Sequence, residues 1–267
     1  MSSPRALMRL CTWNVNSLPA RLDFVLDFLQ THQPDLVCLQ ELKVEDEAFP
    51  HLAFAQVGYV ALTHGQPQWN GVAVLVRRAL EGQPRIVQRG LPGAESFGAR
   101  LLTVEAAGLL VSSVYVPNGK SLSHPDFKLK LAFLEKLREY AASLPLSQPV
   151  LMGGDFNLVP AALDSWNEAA FTDRIFHTAE ERSCWKGLID LGLVDVFRSL
   201  HPAEQAFSWW DYRAGAFHKK HGLRIDFLLA SQPLASRART AQIDRDFRKK
   251  RDGRIPSDHA PVLVDVE

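Results

Sequence analysis

Eight short apolar runs dominate this chain: LCTWNV (10–15), DLVCLQE (35–41), GVAVLV (71–76), LLTVEA (101–106), LLVSSVYV (109–116), VLMGGDF (150–156), RIDFLLA (224–230) and PVLVDV (261–266). Each has the length of a strand, and several are apolar at nearly every position. A strand carries that pattern when other layers cover both of its faces. Helical spacings lie between them. Leu22, Val25, Leu26 and Leu29 follow one helix face, and Phe127, Leu131, Leu134 and Leu137 follow another. A third helix is expected to open at Thr178 with Glu181 three residues on, a reciprocal cap, and to stop at Gly192. Helices and strands interleave with no low-complexity linker or change of composition. The reading is an α/β fold, with residues 1–267 as a single layered domain.

No apolar run approaches the ~20 residues that span a membrane. The opening MSSPRALMRL lacks a continuous apolar core, so no secretory signal is expected. Cys11, Cys38 and Cys184 have no metal-type spacing, and the first two sit inside strand-like runs as small core residues. A reducing, cytoplasmic setting follows as the expectation. The 30 basic and 30 acidic residues cancel, which argues against a protein that coats nucleic acid indiscriminately. Their distribution is uneven: Trp209 to His259 holds 12 Lys/Arg against 6 Asp/Glu. FHKKHGLR (217–224) and RDFRKKRDGR (245–254) supply most of that excess and point to a polyanionic ligand.

Polar residues collect where these strands end, in TWNVN, LQE, VYVPN and GGDFN. A turn explains any one of them, because Asn and Asp suit turns, but explains the whole set poorly. Glu41, Asp155 and Asp258 offer carboxylates, and Asn14, Asn16 and Asn157 offer amide oxygens. An oxygen-rich, sulfur-free set suits a hard cation, Mg²⁺ or Mn²⁺, and no zinc motif is present. The closing stretch RIPSDHAPVLVDV places His259 beside Asp258. Imidazole binds Mg²⁺ poorly, so His259 is read as a proton or hydrogen-bond donor oriented by a carboxylate. Asp226, isolated among Ile225, Phe227 and Leu228, is assigned as that carboxylate. Asp155 and Asn157 project from one face if extended. One can take a proton from water while the other steadies an anion, so the parts describe metal-assisted attack of water on a phosphate ester.

TWNVNSL (12–18), LQELK (39–43), WNG (69–71), VYVPNG (114–119), GGDFN (153–157), FSWWDYR (207–213), GLRIDFLLAS (222–231) and SDHAPV (257–262) resemble the exonuclease III family of apurinic/apyrimidinic endonucleases. The likeness runs in order over nearly the whole chain. It implies a four-layered α/β sandwich, two packed mixed β-sheets flanked by helices. It implies a Mg²⁺ cradle of Asn14, Glu41 and Asp258 with Asn16 nearby, Mn²⁺ being an alternative. Asp155 then activates water, Asn157 stabilises the pentacovalent phosphate, His259 held by Asp226 contacts the scissile phosphate, and Tyr115 contacts the phosphate or leaving group. A two-metal reading adds Asp155, Asn157 and His259 to the ligands. Asn16, Lys43, Asn70, Asn118 and Arg224 fall on the substrate side, and Trp209, Leu223 and Ile225 line an apolar pocket for a flipped-out sugar without its base. Arg213, Lys219, Lys220, Arg224 and Lys249 to Arg251 are read as phosphate contacts.

The implied partner is double-stranded DNA with abasic sites, nicks or blocked 3′ ends. The implied protein is a cytoplasmic monomer, acting at the nucleoid if bacterial, with no membrane partner. Two departures stand out. Ser17 replaces a glycine common in the family, and in the loop WNEAAFTDRIFHTAEER (166–182) Phe176 or His177 is placed to narrow the pocket and favour 3′-end trimming. A lipid or inositol phosphate phosphoesterase of the same superfamily is the alternative enzyme, against which the aromatic-basic segment 207–226 speaks. A catalytically silent DNA-binding protein is the third reading, disfavoured because every catalytic position is filled.

Overall fold

The computed structural model describes residues 7–251 and 253–267. Its strands, in chain order, are β1 (Met8–Asn14), β2 (Leu36–Gln40), β3 (Tyr59–His64), β4 (Val72–Arg77), β5 (Arg85–Arg89), β6 (Leu101–Ala106), β7 (Leu109–Tyr115), β8 (Val150–Asp155), β9 (Leu193–Asp195), β10 (Asp226–Ser231), β11 (Ala238–Ile243) and β12 (Val262–Val266). They form two six-stranded mixed sheets, ordered β11-β12-β1-β2-β4-β3 and β5-β6-β7-β8-β10-β9. The two sheets follow one plan. Each has a single parallel pair at its centre, β1–β2 or β7–β8, and antiparallel neighbours elsewhere. A crossover helix joins each parallel pair, Leu18–His32 in one sheet and Pro125–Ser143 in the other.

The doubly apolar strands are explained by three layers of core. Leu10, Leu36, Cys38, Val72 and Val74 face Val104, Val111, Leu151 and Leu228 between the sheets. Their alternate neighbours Cys11, Trp13, Val37 and Leu39 pack outward against Phe24, Phe28 and Leu29 of the first helix. Val114, Met152, Phe227 and Leu229 pack likewise against Phe133, Leu134 and Leu137 of the second. The period of two thus serves both faces, giving helix, sheet, sheet, helix. Gly153 and Gly154 are small because the chain is crowded there. A Cβ at Gly154 would lie 2.0 Å from the Val114 carbonyl oxygen, and one at Gly153 would lie 3.1 Å from Cys38 Sγ of the other sheet.

All eight apolar runs contain strands of the structure. The additional strands β3, β5, β9 and β11 lie at sheet edges, where half-exposed faces dilute the apolar pattern. The third helix runs Ala179–Ile189 with its Thr178/Glu181 capping box intact. It ends short of Gly192, whose φ of 97° turns the chain into β9. The second helix buries Lys130 on the same stripe as Phe133, Leu134 and Leu137, a charge that the apolar spacing alone does not reveal. Among the described residues no helix is long and apolar enough to cross a membrane.

Candidate active site

The C-terminal ends of the two parallel pairs meet, and the starts of β10 and β12 join them. β12 runs antiparallel to β1, so the residues that lead into it, Asp258 and His259, arrive beside Asn14. β10 runs antiparallel to β8 and sets Asp226 opposite Asp155 in register. Several exits from the strands are left-handed: Asn16 (φ 45°), Ser17 (φ 86°), Glu41 (φ 54°), Lys43 (φ 54°) and Asn157 (φ 49°). Such backbone is sparsely populated by residues other than glycine, Asn and Asp, so Ser17, Glu41 and Lys43 are held there against local preference.

Asn14 is the joint between the sheets. Its Nδ2 donates to Glu41 Oε1 and to Asp155 Oδ2, each at 2.9 Å. Tyr115 donates its hydroxyl to Glu41 Oε1 at 2.8 Å, while Lys43 Nζ lies 2.9 Å from Glu41 Oε2. Lys43 also donates to Asn16 Oδ1, and Asn16 Nδ2 donates to Asp258 Oδ1 at 2.9 Å. The second oxygen of Asp258 accepts from Trp209 Nε1 at 2.9 Å. On the other side, Asp226 Oδ2 lies 2.9 Å from His259 Nδ1 and accepts the Ser208 hydroxyl at 2.6 Å. His259 Nε2 points toward Asp155, 3.8 Å from Oδ2. Asp155 Oδ1 accepts the backbone N–H of Asn157, and Asn157 Nδ2 lies 3.3 Å from Asp155 Oδ2.

Electrostatics separates the two carboxylates that share Asn14. Burial pushes the Asp155 carboxyl up, Asp226 and Glu41 add to that push, and the total, against His259 and Asn14, carries it to about 8. Burial also raises Glu41, but Lys43 and the Asn14 hydrogen bond outweigh it and hold Glu41 below its usual range. Burial works against the His259 cation, yet Asp226, Asp155 and Asp258 raise it to about 10, so the ring is an imidazolium at neutral pH. Tyr115 is pushed well above its ordinary range by burial and by Glu41 and Asp155, and stays a hydroxyl.

Ligand atoms of Glu41, Asp155 and His259 lie within 4.8 Å of one another. Glu41, Asp155, Asp226 and Asp258 supply four carboxylates to this region, against Lys43 and the His259 imidazolium. That surplus of buried negative charge, presented mostly through oxygen atoms, fits a hard divalent cation. Asp258 stands outside that group, its two oxygens held by Asn16 and Trp209.

Most of the residues singled out in the sequence converge here. Trp209, Leu223 and Ile225 form an apolar cluster with Val159, Trp166 and Phe176, while Trp210 is core, 1% exposed. Asn70, Asn118, Lys43 and Tyr115 line an adjoining cleft of about 460 Å³ with Trp69 and Arg100. Arg224 corrects the sequence reading. It is buried, bound to Asp164 at 2.7 Å and Asp195 at 2.8 Å, and cannot reach a backbone phosphate. Of the two pocket residues in the 166–182 loop, Phe176 joins the apolar cluster, whereas His177 bonds Ser165 Oγ at 3.0 Å and stacks on Phe171.

Three contributors were not legible in the sequence. Ser208 fixes Asp226 from within the FSWW run, and Arg100 lies 4.6 Å over the Tyr115 ring. The fully buried Lys130–Glu181 pair is the third. Lys130 Nζ donates to the carbonyls of Asn157 and Asn118, and Glu181 accepts the Phe176 N–H at 3.1 Å. The pair therefore ties the 166–182 loop to the two asparagines.

Comparison with known proteins agrees with this geometry. The model of the endonuclease/exonuclease/phosphatase family matches residues 11–259. Exodeoxyribonuclease III of Haemophilus influenzae is 37% identical over 274 residues, covering 97% of this chain and 100% of that protein. An AP endonuclease structure from Archaeoglobus fulgidus superposes with a TM-score of 0.92 at 32% identity, covering 97% of this chain and 99% of the other. The 3′ phosphatase NExo from Neisseria, bound to a product DNA hairpin, superposes with a TM-score of 0.90 at 34% identity and covers the same shares.

Proposed function

The chain belongs to the endonuclease/exonuclease/phosphatase family, and from that premise we propose that it is a Mg²⁺-dependent DNA repair phosphodiesterase of the exonuclease III type. It hydrolyses the backbone 5′ to abasic sites and removes nucleotides or blocking groups from 3′ ends, working as a monomer on double-stranded DNA with abasic sites, nicks or blocked 3′ ends. The observation that carries this reading is the convergence of Asn14, Glu41, Asp155, Asp226 and His259 from both sheets onto one point beside the Trp209–Leu223–Ile225 pocket. Residues 1–267 act as one catalytic unit in this reading.

Glu41 and Asn14, with Asp258 reached through Asn16, would hold a divalent cation, which would supply charge neutralisation to the phosphate. The remaining chemistry belongs to the side chains. Asp155, buried and 3.8 Å from His259 Nε2, is the carboxylate placed to take the proton of the attacking water. Asn157 holds Asp155 through its backbone N–H, and its Nδ2, anchored on the Val116 carbonyl at 3.0 Å, can turn its longer 3.3 Å bond from Asp155 to the developing anion. His259, pinned at Nδ1 by Asp226, presents its Nε2 proton to a phosphate oxygen as a charge-assisted donor. Tyr115 keeps its proton for donation to the leaving side.

A specific observation favours a specialised form of the same activity. Phe176 occupies a left-handed φ of 75° at the pocket, with its ring 4.7 Å from Lys130 Nζ. A bulky residue held there shrinks the space for a flipped sugar and shifts activity toward 3′ ends. The deciding experiment uses duplexes bearing a tetrahydrofuran abasic analogue, a recessed 3′-OH or a 3′-phosphate, each in Mg²⁺ and in EDTA, with Asp155→Asn as control. Metal-dependent incision 5′ to the analogue supports the broad reading. Attack on 3′ ends alone supports the specialised one, and Phe176→Gly then raises abasic incision about tenfold relative to 3′ processing. Inactivity on all three substrates sinks both.

A further inference from the structure

Arg21 and Arg248 meet at Tyr212, and neither is ion-paired with a carboxylate among the described residues. Arg248 lies 4.7 Å from the Tyr212 ring centroid and 5.2 Å from that of Phe217, is 7% exposed, and donates through Nη2 to the Trp210 carbonyl at 3.2 Å. Arg21 sits where the first crossover helix departs from helical geometry (φ −128°, ψ 16°). It donates to the Asn16 carbonyl and, through Nη2, to the Tyr212 hydroxyl at 3.2 Å. The Nε of each arginine is buried with no hydrogen-bond partner among the described residues. Arg224 gives the contrast: an arginine that this fold uses structurally is answered by two aspartates. Two adjacent guanidinium groups, held by carbonyl and hydroxyl oxygens with Asp258 acting on Arg248 only at a distance and each with an unpartnered Nε, have capacity left for an anion.

The space for that anion is present. A cavity of about 380 Å³ opens on Arg248, lined also by Tyr212, Phe217, His218, Lys249 and Lys250. Among the described residues its one acid, Asp211, is already held by Arg213 at 2.7 Å. The cluster also touches the site at three points. Arg21 holds the Asn16 carbonyl, Tyr212 donates to the Pro256 carbonyl at 2.7 Å, and Arg248 holds Trp210, whose N–H donates to the Asp258 carbonyl at 3.1 Å. We propose that Arg21, Tyr212 and Arg248 form an anion site for a DNA backbone phosphate flanking the one that is hydrolysed. The proposal rests on the DNA reading above and adds to it a contact that fixes register without reading sequence.

The test uses Arg248→Met and Arg21→Met, singly and together, since Met keeps much of the buried stem. The first arm follows thermal unfolding of the resting protein in inorganic phosphate against chloride at matched ionic strength. The wild type is expected to gain stability from phosphate beyond what Arg248→Met gains, whereas a general salting effect would persist in both. The second arm measures duplex binding against salt in an Asp155→Asn background. Each arginine variant is expected to bind about tenfold more weakly and to flatten the slope of log K against log salt by about 0.9, with no further change in the double variant because one phosphate is shared. Equal phosphate protection of wild type and Arg248→Met overturns the site, whatever the protein does on DNA. Protection with an unchanged slope assigns the site to free phosphate and overturns the backbone assignment. Failure of the DNA reading itself looks different, since the Asp155→Asn parent would then bind no duplex.

Discussion

Glu41 and Asp155 follow or end corresponding central strands, β2 and β8, of two sheets built to one plan, yet the two halves treat them oppositely. In the first half Lys43 follows two residues on, and its ammonium keeps Glu41 ionised. In the second half Asp226 lies across from Asp155 in register, and burial with that second negative charge drives Asp155 to about 8. Topology thus brings two carboxylates to one amide, and their neighbours push the two in opposite directions, Glu41 below and Asp155 above the usual carboxylate range. The turns differ as well. The chain leaving β7 relaxes through Gly119 at φ 88°, whereas the chain leaving β1 forces Ser17 to φ 86°.

The two carboxylates are expected to respond differently to loss. Asp155→Asn is expected to lower single-turnover cleavage by about 10⁴-fold, with no recovery at high Mg²⁺, because a proton acceptor has gone. Glu41→Gln is expected to weaken Mg²⁺ activation by about 10- to 100-fold and to regain much of its rate at saturating metal. Equal rescue of both variants in a Mg²⁺ titration would erase the distinction. The support beneath each half is the next contrast. Lys130→Met strands Glu181 in the core and should cost about 3–5 kcal/mol in urea unfolding, most of it recovered in Lys130→Met/Glu181→Met. Lys43→Met, at a pair 24% and 17% exposed, should cost less, about 1–2 kcal/mol. The smallest effect belongs to the turns: Ser17→Gly should raise stability by about 0.5 kcal/mol, left-handed strain being relieved against glycine's greater unfolded freedom. A loss instead would show that the Ser17 side chain contributes something that its backbone does not.

Much of this was legible in the sequence because it is written locally. The central strands announce themselves through apolar runs, and Asp226 and His259 through polarity where polarity is expensive. What stayed hidden depends on partners distant in the chain. Edge strands such as β5 share their exposed pattern with loops. Lys130 carries the charge of a surface residue and is buried only because Glu181 meets it 51 positions later. Arg224 sits in a basic, aromatic stretch that reads as a DNA contact, and only Asp164 and Asp195 reveal its structural use. Arg21 and Arg248, 227 positions apart in the numbering, become neighbours only through Tyr212.

The pairing of β1 with β12 carries a consequence for the order of events during synthesis. Met8 lies opposite Val266, so β1 waits during synthesis for a strand more than 250 residues later before that flank is hydrogen-bonded. Contacts of such sequence separation form late, after the loop-closure cost has been met. Asp258 and His259 arrive with the same strand. A nascent chain can therefore assemble the second sheet and its crossover helix while lacking both the imidazole and the closing carboxylate. Closure of the site therefore belongs to the same late step as the pairing of β12 with β1.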